Sequence, residues 1–329
     1  MPQSKDLFGS VSLGYILVES NRLSEWRTFL QDGLGLHLAA ADATSVAFRL
    51  DNHARRLVVS KGPAEDVAAI GLQLQDQATL QIVLDRLKER RITAKPGTAS
   101  EAALRGVSGF WRMTGPKGLA VELFVEPLTT AEPLNMLSSG FITGASGVGH
   151  IAVSTRLPEA ALRFWQEIFD ARVSDDIVEH LAGVTLDIRF LRLNERHHSV
   201  ALAAVRGLRL DPIRTKVQHF NLLAASLDDV AQAFRRCKAL GLKMAHEIGQ
   251  HPNDKEVSFY VVSPSGFEVE LGCQALVVEE STWKPDTYQG ISLWGHKPPN
   301  NSALDRFAVN AGNFRRGLLS LLHPEHSPI

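Results

Sequence analysis

The sequence predicts an α+β fold of two tandem domains, each built from two βαβββ modules. Its 329 residues are enough for two domains, at roughly 100–200 residues per domain. An internal repeat supports this division. Residues 12–18 resemble residues 147–153, and residues 109–123 resemble residues 257–271. Between the two copies, residues 127–146 are rich in Pro, Gly, Ser and Thr, which is typical of a linker.

Each module is predicted to run as a strand, a helix and about three more strands. Residues 150–155 and 218–224 alternate like strands, and each run is followed by a helical pattern. The first helix, over 158–169, opens with a proline in its first turn. The second, over 227–240, has Ser226 as a candidate N-cap and two aspartates that suit the positive end of the helix dipole.

Short strands and turns complete each module. Residues 257–263 and 267–272 read as strands, joined by a Pro-Ser-Gly turn at 264–266. We therefore expect an N-terminal domain over 1–135, a C-terminal domain over 145–297, and a tail over 298–329 in which residues 304–322 favour a helix.

Composition narrows the classes of function. Lys and Arg number 35 against 36 Asp and Glu, with no basic run, so binding to nucleic acid by bulk charge is not expected. No stretch approaches ~18 uninterrupted apolar residues, so no membrane span is expected. The first residues lack a basic segment followed by a long apolar core, which argues against secretion. Cys237 and Cys273 have no metal-ligand or redox spacing, so we expect a cytoplasmic protein with free thiols.

Two histidines and a glutamate in the second half can form one metal site. His150 lies on the first strand of this half, His219 on the strand over 218–222, and Glu270 on the last strand. Two imidazoles and one carboxylate on one face, with other positions open, form the facial set of non-haem Fe(II) oxygenases. The open positions can take a substrate and dioxygen together. The three residues make no local motif, however, and a single strand histidine is more often a core or surface residue.

The strand that carries Glu270 gives a mixed signal. Alternation places residues 267, 269 and 271 on an apolar face and Glu270 on the other face. A carboxylate that faces a core is costly unless it is paired or bound to a metal. The second face is equally compatible with solvent, so spacing alone leaves both interpretations open.

The first half lacks the same set of residues. Its aligned positions hold Tyr15, Gly71 and Glu122. Tyrosine and glycine in place of the two histidines leave no metal ligand set, so we interpret this half as a structural copy.

Seven short motifs follow one another in the second half. They are GHIAV (149–153), NERHHS (194–199), HF (219–220) leading to SLDDV (226–230), GQHPND (249–254), SFY (258–260), SPSGFEVE (263–270) and WGH (294–296). In this order they resemble the type I extradiol ring-cleaving dioxygenases of the vicinal oxygen chelate superfamily, especially the two-domain enzymes for 2,3-dihydroxybiphenyl-like catechols. The resemblance covers about residues 148–297 and, more faintly, residues 12–127.

The resemblance implies a fold, a metal and a reaction. The fold is the vicinal oxygen chelate fold, and the Fe(II) ligands are His150, His219 and Glu270. Mn(II) is the alternative, because the ligand set alone does not separate the two metals. The implied reaction is extradiol cleavage of a substituted catechol by O2, giving a 2-hydroxymuconic-semialdehyde-type product in aromatic compound degradation. The two-domain length and the motifs favour a catechol with a bulky 3-substituent.

The resemblance also implies roles for side chains around the metal. His198 resembles the histidine that assists at the dioxygen side and shuttles a proton, and an imidazole suits this because it can both donate and accept. His251 and Tyr260 resemble the pair that hydrogen-bonds the hydroxyl oxygens of the substrate. The residues implied in the substrate pocket are Asn253, Asp254 and Phe190.

One position is interpreted as non-catalytic, and two others are departures from the family pattern. His197 is interpreted as non-catalytic, because alternation on a strand points it away from His198. Gln218 stands where many relatives have a histidine, and alternation is expected to turn it away from the metal. Ser263 replaces the Asp, Glu, Asn, Thr or Ala that the family prefers before the proline, which is a mild change in a turn.

Two other functions on the same fold remain alternatives. A glyoxalase-like isomerase is expected to have an additional glutamate ligand and to lack the set of His198, His251 and Tyr260. A non-catalytic small-molecule-binding protein would have no use for three metal ligands. Exposed sheet edges and the habit of the family lead us to expect a homo-oligomer.

Overall fold

Two mixed β-sheets, one in each half of the chain, carry the fold. The computed structural model describes residues 5–298, except 182, 210, 212 and 214, together with residues 320, 322 and 324–329. In both halves the strands greatly outnumber the helices. The predicted α+β class and the predicted order of elements within the modules are confirmed.

The first sheet has eight strands from two modules. The first module contains β1 (Val11–Glu19), α1 (Leu23–Arg27) with a π-helical turn over Thr28–Gly33, β2 (His37–Ala41), β3 (Ser45–Arg49) and β4 (Leu57–Ser60). The second contains β5 (Asp66–Leu74), α2 (Gln77–Glu89), β6 (Lys95–Pro96), α3 (Ala99–Arg105), β7 (Trp111–Thr114) and β8 (Ala120–Phe124). The strand order is β2-β3-β4-β1-β5-β8-β7-β6.

The second sheet repeats this plan with nine strands. Its first module contains β9 (Ile151–Ser154), α4 (Pro158–Phe169), β10 (Arg172–Leu181), β11 (Val184–Arg192) and β12 (Val200–Val205). The next contains β13 (His219–Leu223), α5 (Leu227–Ala239), β14 (Met244–Gln250), β15 (Val257–Val262) and β16 (Glu268–Cys273), and β17 (Thr287–Gln289) follows. The strand order is β14-β15-β16-β13-β9-β12-β11-β10-β17.

The helices of the second half begin where the sequence predicts. Helix α4 has Pro158 in its first turn, where a missing N–H costs nothing. Helix α5 begins after Ser226, whose hydroxyl accepts a hydrogen bond from the Asp229 amide at 3.2 Å. The same helix ends one residue earlier than predicted, at Ala239. The Asp229 carboxylate also accepts from the Ser139 amide at 2.6 Å, so the start of α5 holds the linker between the halves.

One apolar core runs through both halves and backs the centre of the second sheet. Val269 and Leu271 on β16 and Phe220 on β13 are fully buried in it, which confirms the apolar face predicted for residues 269 and 271. Trp26 of the first half packs 5.6 Å from Phe267. The opposite face of β9, β13 and β16 faces a cavity rather than solvent.

The end of the chain contacts the body of the protein, and both cysteines are buried. Of the helix predicted over 304–322, all but residues 320 and 322 lie outside the described part of the chain. The last residues return to the body of the protein, where the Glu325 carboxylate accepts from the Arg156 amide at 2.9 Å. Cys237 and Cys273 are free and buried. Within the described residues, no helix has the length and apolar character needed to cross a membrane.

Candidate active site

Three neighbouring strands bring His150, His219 and Glu270 together. His150 immediately precedes β9, His219 begins β13, and Glu270 lies on β16, with β13 between the other two strands. The Nε2 atoms of His150 and His219 are 3.2 Å apart. Oε2 of Glu270 lies 3.1 Å from the first of these nitrogens and 3.5 Å from the second. Three donor atoms from distant parts of the chain therefore converge on one point.

The hydrogen bonds around this point suit a bound divalent cation. Oε2 of Glu270 is buried without a hydrogen-bond partner, whereas Oε1 accepts from the Ser258 hydroxyl at 2.6 Å. A buried carboxylate oxygen without a partner is costly, and a metal ion would remove that cost. Burial raises the pKa of the Glu270 carboxyl, but the neighbouring His150 and His251 hold this pKa well below 4.5. The group is therefore an anion, as a metal ligand must be.

Gln218 orients one of the candidate ligands. Its Oε1 lies 3.1 Å from Nδ1 of His219, and its Nε2 lies 3.5 Å from a carboxylate oxygen of Glu268. The amide oxygen can only accept, so His219 carries its proton on Nδ1 and presents a lone pair at Nε2. Burial lowers the pKa of His219 to about 3, which keeps the ring neutral. Gln218 thus contacts the nitrogen of His219 that faces away from the other two candidate ligands, so its effect falls on the support of a ligand, as expected.

All of the site residues that the sequence singled out line one cavity of about 130 Å³. One water needs roughly 10–15 Å³ on this scale, so the cavity has room for a small organic molecule. The predicted residues in its wall are His150, Phe190, His198, His219, His251, Asn253, Asp254, Tyr260 and Glu270.

A hydrogen-bonded pair forms the wall beside Glu270. Nε2 of His251 lies 2.9 Å from the Tyr260 hydroxyl and 3.2 Å from Oε1 of Glu270. Nδ1 of His251 donates to the Ile291 carbonyl at 2.7 Å, which fixes the ring. Burial lowers the pKa of His251, but the Glu270 carboxylate outweighs this effect and raises the pKa to about 9. Burial and the same carboxylate raise the pKa of Tyr260 well above 10, so its hydroxyl stays a donor.

His198 lies on the His150 side of the cavity. Its ring centroid is 3.9 Å from that of His150 and 4.8 Å from that of Phe190. Burial, reinforced by His150 and His197, lowers the pKa of His198 well below 6.5, so the imidazole is neutral. A neutral imidazole in a dry wall can accept a proton at one nitrogen while donating from the other.

The interpretation of His197 is wrong in its geometry. His197 and His198 lie in the turn between β11 and β12, not on a strand, so the alternation argument does not apply to them. Nδ1 of His197 lies 3.1 Å from Nδ1 of His198. The side chains of His197 and His198 therefore contact each other and do not point to opposite faces of a strand.

Sequence reasoning missed other polar side chains of this wall. The His296 ring lies 4.3 Å from that of His251, and its Nε2 lies 3.2 Å from the Ser258 hydroxyl. The His246 ring lies 5.3 Å from that of Tyr260. His296 belongs to the WGH motif, which gave a signal, whereas no motif marks His246.

The far end of the cavity is apolar. Ile177, Ile188 and Phe190 line it together with Ala152 and Ala201. Small alanine side chains leave space between the larger groups. The cavity therefore combines a polar end at the candidate ligands with an apolar end that suits a hydrophobic substituent.

The corresponding position in the first half is filled by protein groups. Oε2 of Glu122 accepts from the Tyr15 hydroxyl at 2.6 Å. Arg105 and Arg112 donate to Oε1 of the same carboxylate at 2.8 and 2.7 Å. The Tyr15 ring covers Gly71, where a Cβ atom would meet it at 2.3 Å. Glu122 is thus neutralised by two guanidinium groups.

Comparison with known proteins places this chain in a family. Residues 147–271 match the Glyoxalase/Bleomycin resistance protein/Dioxygenase superfamily, and residues 13–62 match the first domain of dihydroxybiphenyl dioxygenase BphC. The chain is 37% identical to biphenyl-2,3-diol 1,2-dioxygenase of Metapseudomonas furukawaii over 302 residues, 89% of this chain and 95% of the relative. It is 30% identical to an iron-dependent extradiol dioxygenase of Rhodococcus jostii, covering 87% of this chain and 96% of the relative.

The chain belongs to the extradiol catechol dioxygenases. Among solved structures, a halotolerant catechol dioxygenase BphC superposes on this extradiol dioxygenase with a TM-score of 0.78 at 30% identity, covering 88% of this chain and 94% of that one. The predicted vicinal oxygen chelate fold and the oxidoreductase class are confirmed. The glyoxalase-like isomerase and the non-catalytic binding protein are set aside.

Proposed function

We propose that this extradiol dioxygenase cleaves a catechol with a bulky substituent beside its hydroxyls, at one Fe(II) held by His150, His219 and Glu270. The observation that carries the proposal is the unpartnered buried Oε2 of Glu270, which faces two imidazole nitrogens at the edge of an open cavity. Two relatives, a biphenyl-2,3-diol 1,2-dioxygenase and an iron-dependent extradiol dioxygenase, support the substrate class and the metal. Mn(II) remains the second candidate for the same ligands.

The metal and the protein divide the chemistry between them. When bound, the metal would act as a Lewis acid that makes a catechol hydroxyl easier to deprotonate and brings substrate and dioxygen together. Tyr260 and His251 line the Glu270 side, where the Tyr260 hydroxyl and the Nε2–H group of His251 can hydrogen-bond a phenolate oxygen. Breaking the ring bond next to the two hydroxylated carbons, with both oxygen atoms incorporated, gives a 2-hydroxymuconic-semialdehyde-type product.

His198 would serve the oxygen side of the reaction. It faces the cavity beside His150, away from the pair formed by His251 and Tyr260. A neutral imidazole there can accept a proton at its free nitrogen and, once protonated, can donate that proton to an oxygen atom that gains negative charge in later steps. Because the wall around it is buried, water competes little for these hydrogen bonds.

The apolar end of the cavity supports a substrate larger than catechol itself. Ile177, Ile188 and Phe190 would contact a second ring attached beside the hydroxyls, and Asn253 and Asp254 would border the polar end. We also propose that residues 145–297 form the catalytic domain and residues 1–135 a structural copy, since Glu122 is already neutralised. The homo-oligomer and the cytoplasmic location stay predictions from the sequence.

The test is anaerobic reconstitution with Fe(II), followed by 2,3-dihydroxybiphenyl in air. We expect a yellow ring-fission product with matching oxygen uptake, and a much weaker response after loading with Zn(II). Glu270→Gln should lose both iron and activity. The matched control is Glu122→Gln, the aligned carboxylate of the first half, which should keep both when assayed below its unfolding temperature. The absence of a yellow product from the iron-loaded protein would contradict the proposal. An equal loss of iron and activity in Glu270→Gln and Glu122→Gln would contradict it as well.

A further inference from the structure

We infer that Asp175 and His197 form a positioning pair that sets the orientation and the tautomer of His198. The inference rests on the proposed role of His198 as a proton-handling group. Oδ2 of Asp175 lies 2.7 Å from Nε2 of His197, and Nδ1 of His197 lies 3.1 Å from Nδ1 of His198. The three side chains are 0%, 1% and 4% exposed. A continuous chain of hydrogen bonds therefore runs from a buried carboxylate to the cavity wall.

The backbone places Asp175 for this contact. In the pairing of β10 with β11, Val173 lies opposite Leu191 and Asp175 opposite Phe190, so Ser174 is an extra residue in a β-bulge. Paired residues share a face of the sheet, and a bulge shifts which residues do so. The bulge therefore turns Asp175 to the face that carries Phe190 and the two histidines. Without it, Asp175 would point to the other face.

Neighbouring groups hold both members of the pair. The Asp286 amide donates to Oδ1 of Asp175 at 2.7 Å, which leaves only Oδ2 for His197. The Ser174 hydroxyl donates to the His197 carbonyl. Trp283 packs edge-on against the His197 ring at 5.5 Å, and its indole N–H donates to the Ser174 carbonyl at 2.9 Å. Contacts from several parts of the chain therefore fix the positions of both Asp175 and His197.

The chain of hydrogen bonds dictates where the protons lie. A carboxylate only accepts, so Nε2 of His197 carries a hydrogen. If that is the only ring hydrogen of His197, its Nδ1 presents a lone pair and Nδ1 of His198 is the donor. His198 is left with its lone pair on Nε2. Asp254 does not replace this partner, because its Oδ2 lies 3.8 Å from Nδ1 of His198, beyond hydrogen-bond distance.

Asp175→Asn inverts this arrangement without changing the size of the side chain. The Asp286 amide requires an acceptor, so the oxygen of Asn must stay at the Oδ1 position and its NH2 group must face His197. Nε2 of His197 must then accept, and Nδ1–H of His197 donates to His198. The proton of His198 moves from Nδ1 to Nε2. The residue that handles protons in the cavity is thereby held in the wrong tautomer.

The direct readout is the tautomer itself. Long-range ¹H–¹⁵N spectra of the full chain, labelled at histidine and loaded with diamagnetic Zn(II), report which nitrogen of each ring is protonated. His198→Gln identifies the His198 signals among those of the 12 histidines. We expect the Nδ1–H form of His198 in the parent protein and the Nε2–H form in Asp175→Asn. The same tautomer in both proteins would overturn the inference.

Kinetics with Fe(II) provide the second readout. Asp175→Asn should lower kcat by at least about 10²-fold, the usual scale for a misplaced acid–base group, with iron content and anaerobic catechol affinity within about twofold. His197→Gln should retain more kcat than His197→Leu, because the glutamine oxygen can still accept from Nδ1 of His198. The control is Trp283→Phe, which removes the hydrogen bond to the Ser174 carbonyl but keeps an aromatic ring beside His197, and should keep kcat and tautomer.

Three results would contradict the inference. The first is a kcat of Asp175→Asn within about twofold of the parent value. The second is an equal loss in Trp283→Phe, which would indicate a purely structural effect. The third is the loss of a second equivalent of metal from His197→Gln, which would make His197, His198 and Asp254 a metal site, since their donor atoms lie within 4.8 Å of one another.

Discussion

Replacing Arg105 by methionine should unfold the protein more easily without touching the cavity of the second half. Arg105 is 4% exposed and pairs with Glu122, which is fully buried. Removing one partner of such a pair costs about 3–5 kcal/mol, because a charge is left buried without compensation. Here each oxygen of Glu122 keeps one donor, Tyr15 on one side and Arg112 on the other. We therefore expect a loss near the lower limit, about 3 kcal/mol.

The assay is thermal and urea unfolding, followed by circular dichroism, alongside iron content and kcat. A loss of about 3 kcal/mol corresponds to a fall in Tm of roughly 4 °C for a chain of 329 residues, at about 2.1 cal/mol/K of unfolding entropy per residue. The double variant Arg105→Met/Glu122→Gln should recover at least about half of the loss, since it removes the buried negative charge that the single variant leaves without full compensation. Iron content and kcat should not change below the transition. A loss under about 1 kcal/mol, or a double variant less stable than either single one, would show that the Arg105–Glu122 pair does not stabilise the fold as expected.

Other predictions concern the cavity, the thiols and the orientation of one ligand. Ala201→Leu adds bulk at the apolar end, so KM for 2,3-dihydroxybiphenyl should rise at least about 10-fold while that for catechol changes little, by steady-state oxygen uptake. Burial raises the pKa of Cys237 to about 12 and that of Cys273 to about 11. Both stay protonated at pH 8, and a disulfide reagent should titrate two thiols only after urea is added; rapid reaction of the native protein would contradict their burial. Gln218→Leu removes the acceptor that fixes His219, so iron affinity should fall about 10–100-fold by competition with a chelator. An unchanged affinity would show that the hydrogen bond does not matter.

Local signals in the sequence predicted the elements that local physics decides. Helix α4 occupies the predicted residues because a first-turn proline and its apolar spacing act within a few residues. Helix α5 begins after Ser226 because the hydroxyl of that residue caps the first turn. The apolar face of β16 followed from alternation along a single strand. Each of these features depends on neighbours in the chain.

The site needed information that spacing does not contain. His150, His219 and Glu270 are far apart in sequence and meet only because β9, β13 and β16 are adjacent in the sheet. Resemblance to a family supplied that pairing. His197 was interpreted wrongly because strand alternation was applied to a residue that lies outside the strands. Whether a residue is in a turn or on a strand decides where its side chain points.

The most direct test of the central claim is a crystal structure of the Fe(II) protein with 2,3-dihydroxybiphenyl, prepared without oxygen and measured at the iron absorption edge. We predict one anomalous peak per chain, within bonding distance of Nε2 of His150, Nε2 of His219 and Oε2 of Glu270. The catechol oxygens should lie at the same peak, with the second ring between Ile177, Ile188 and Phe190. An iron peak elsewhere, or a catechol bound away from it, would contradict the account.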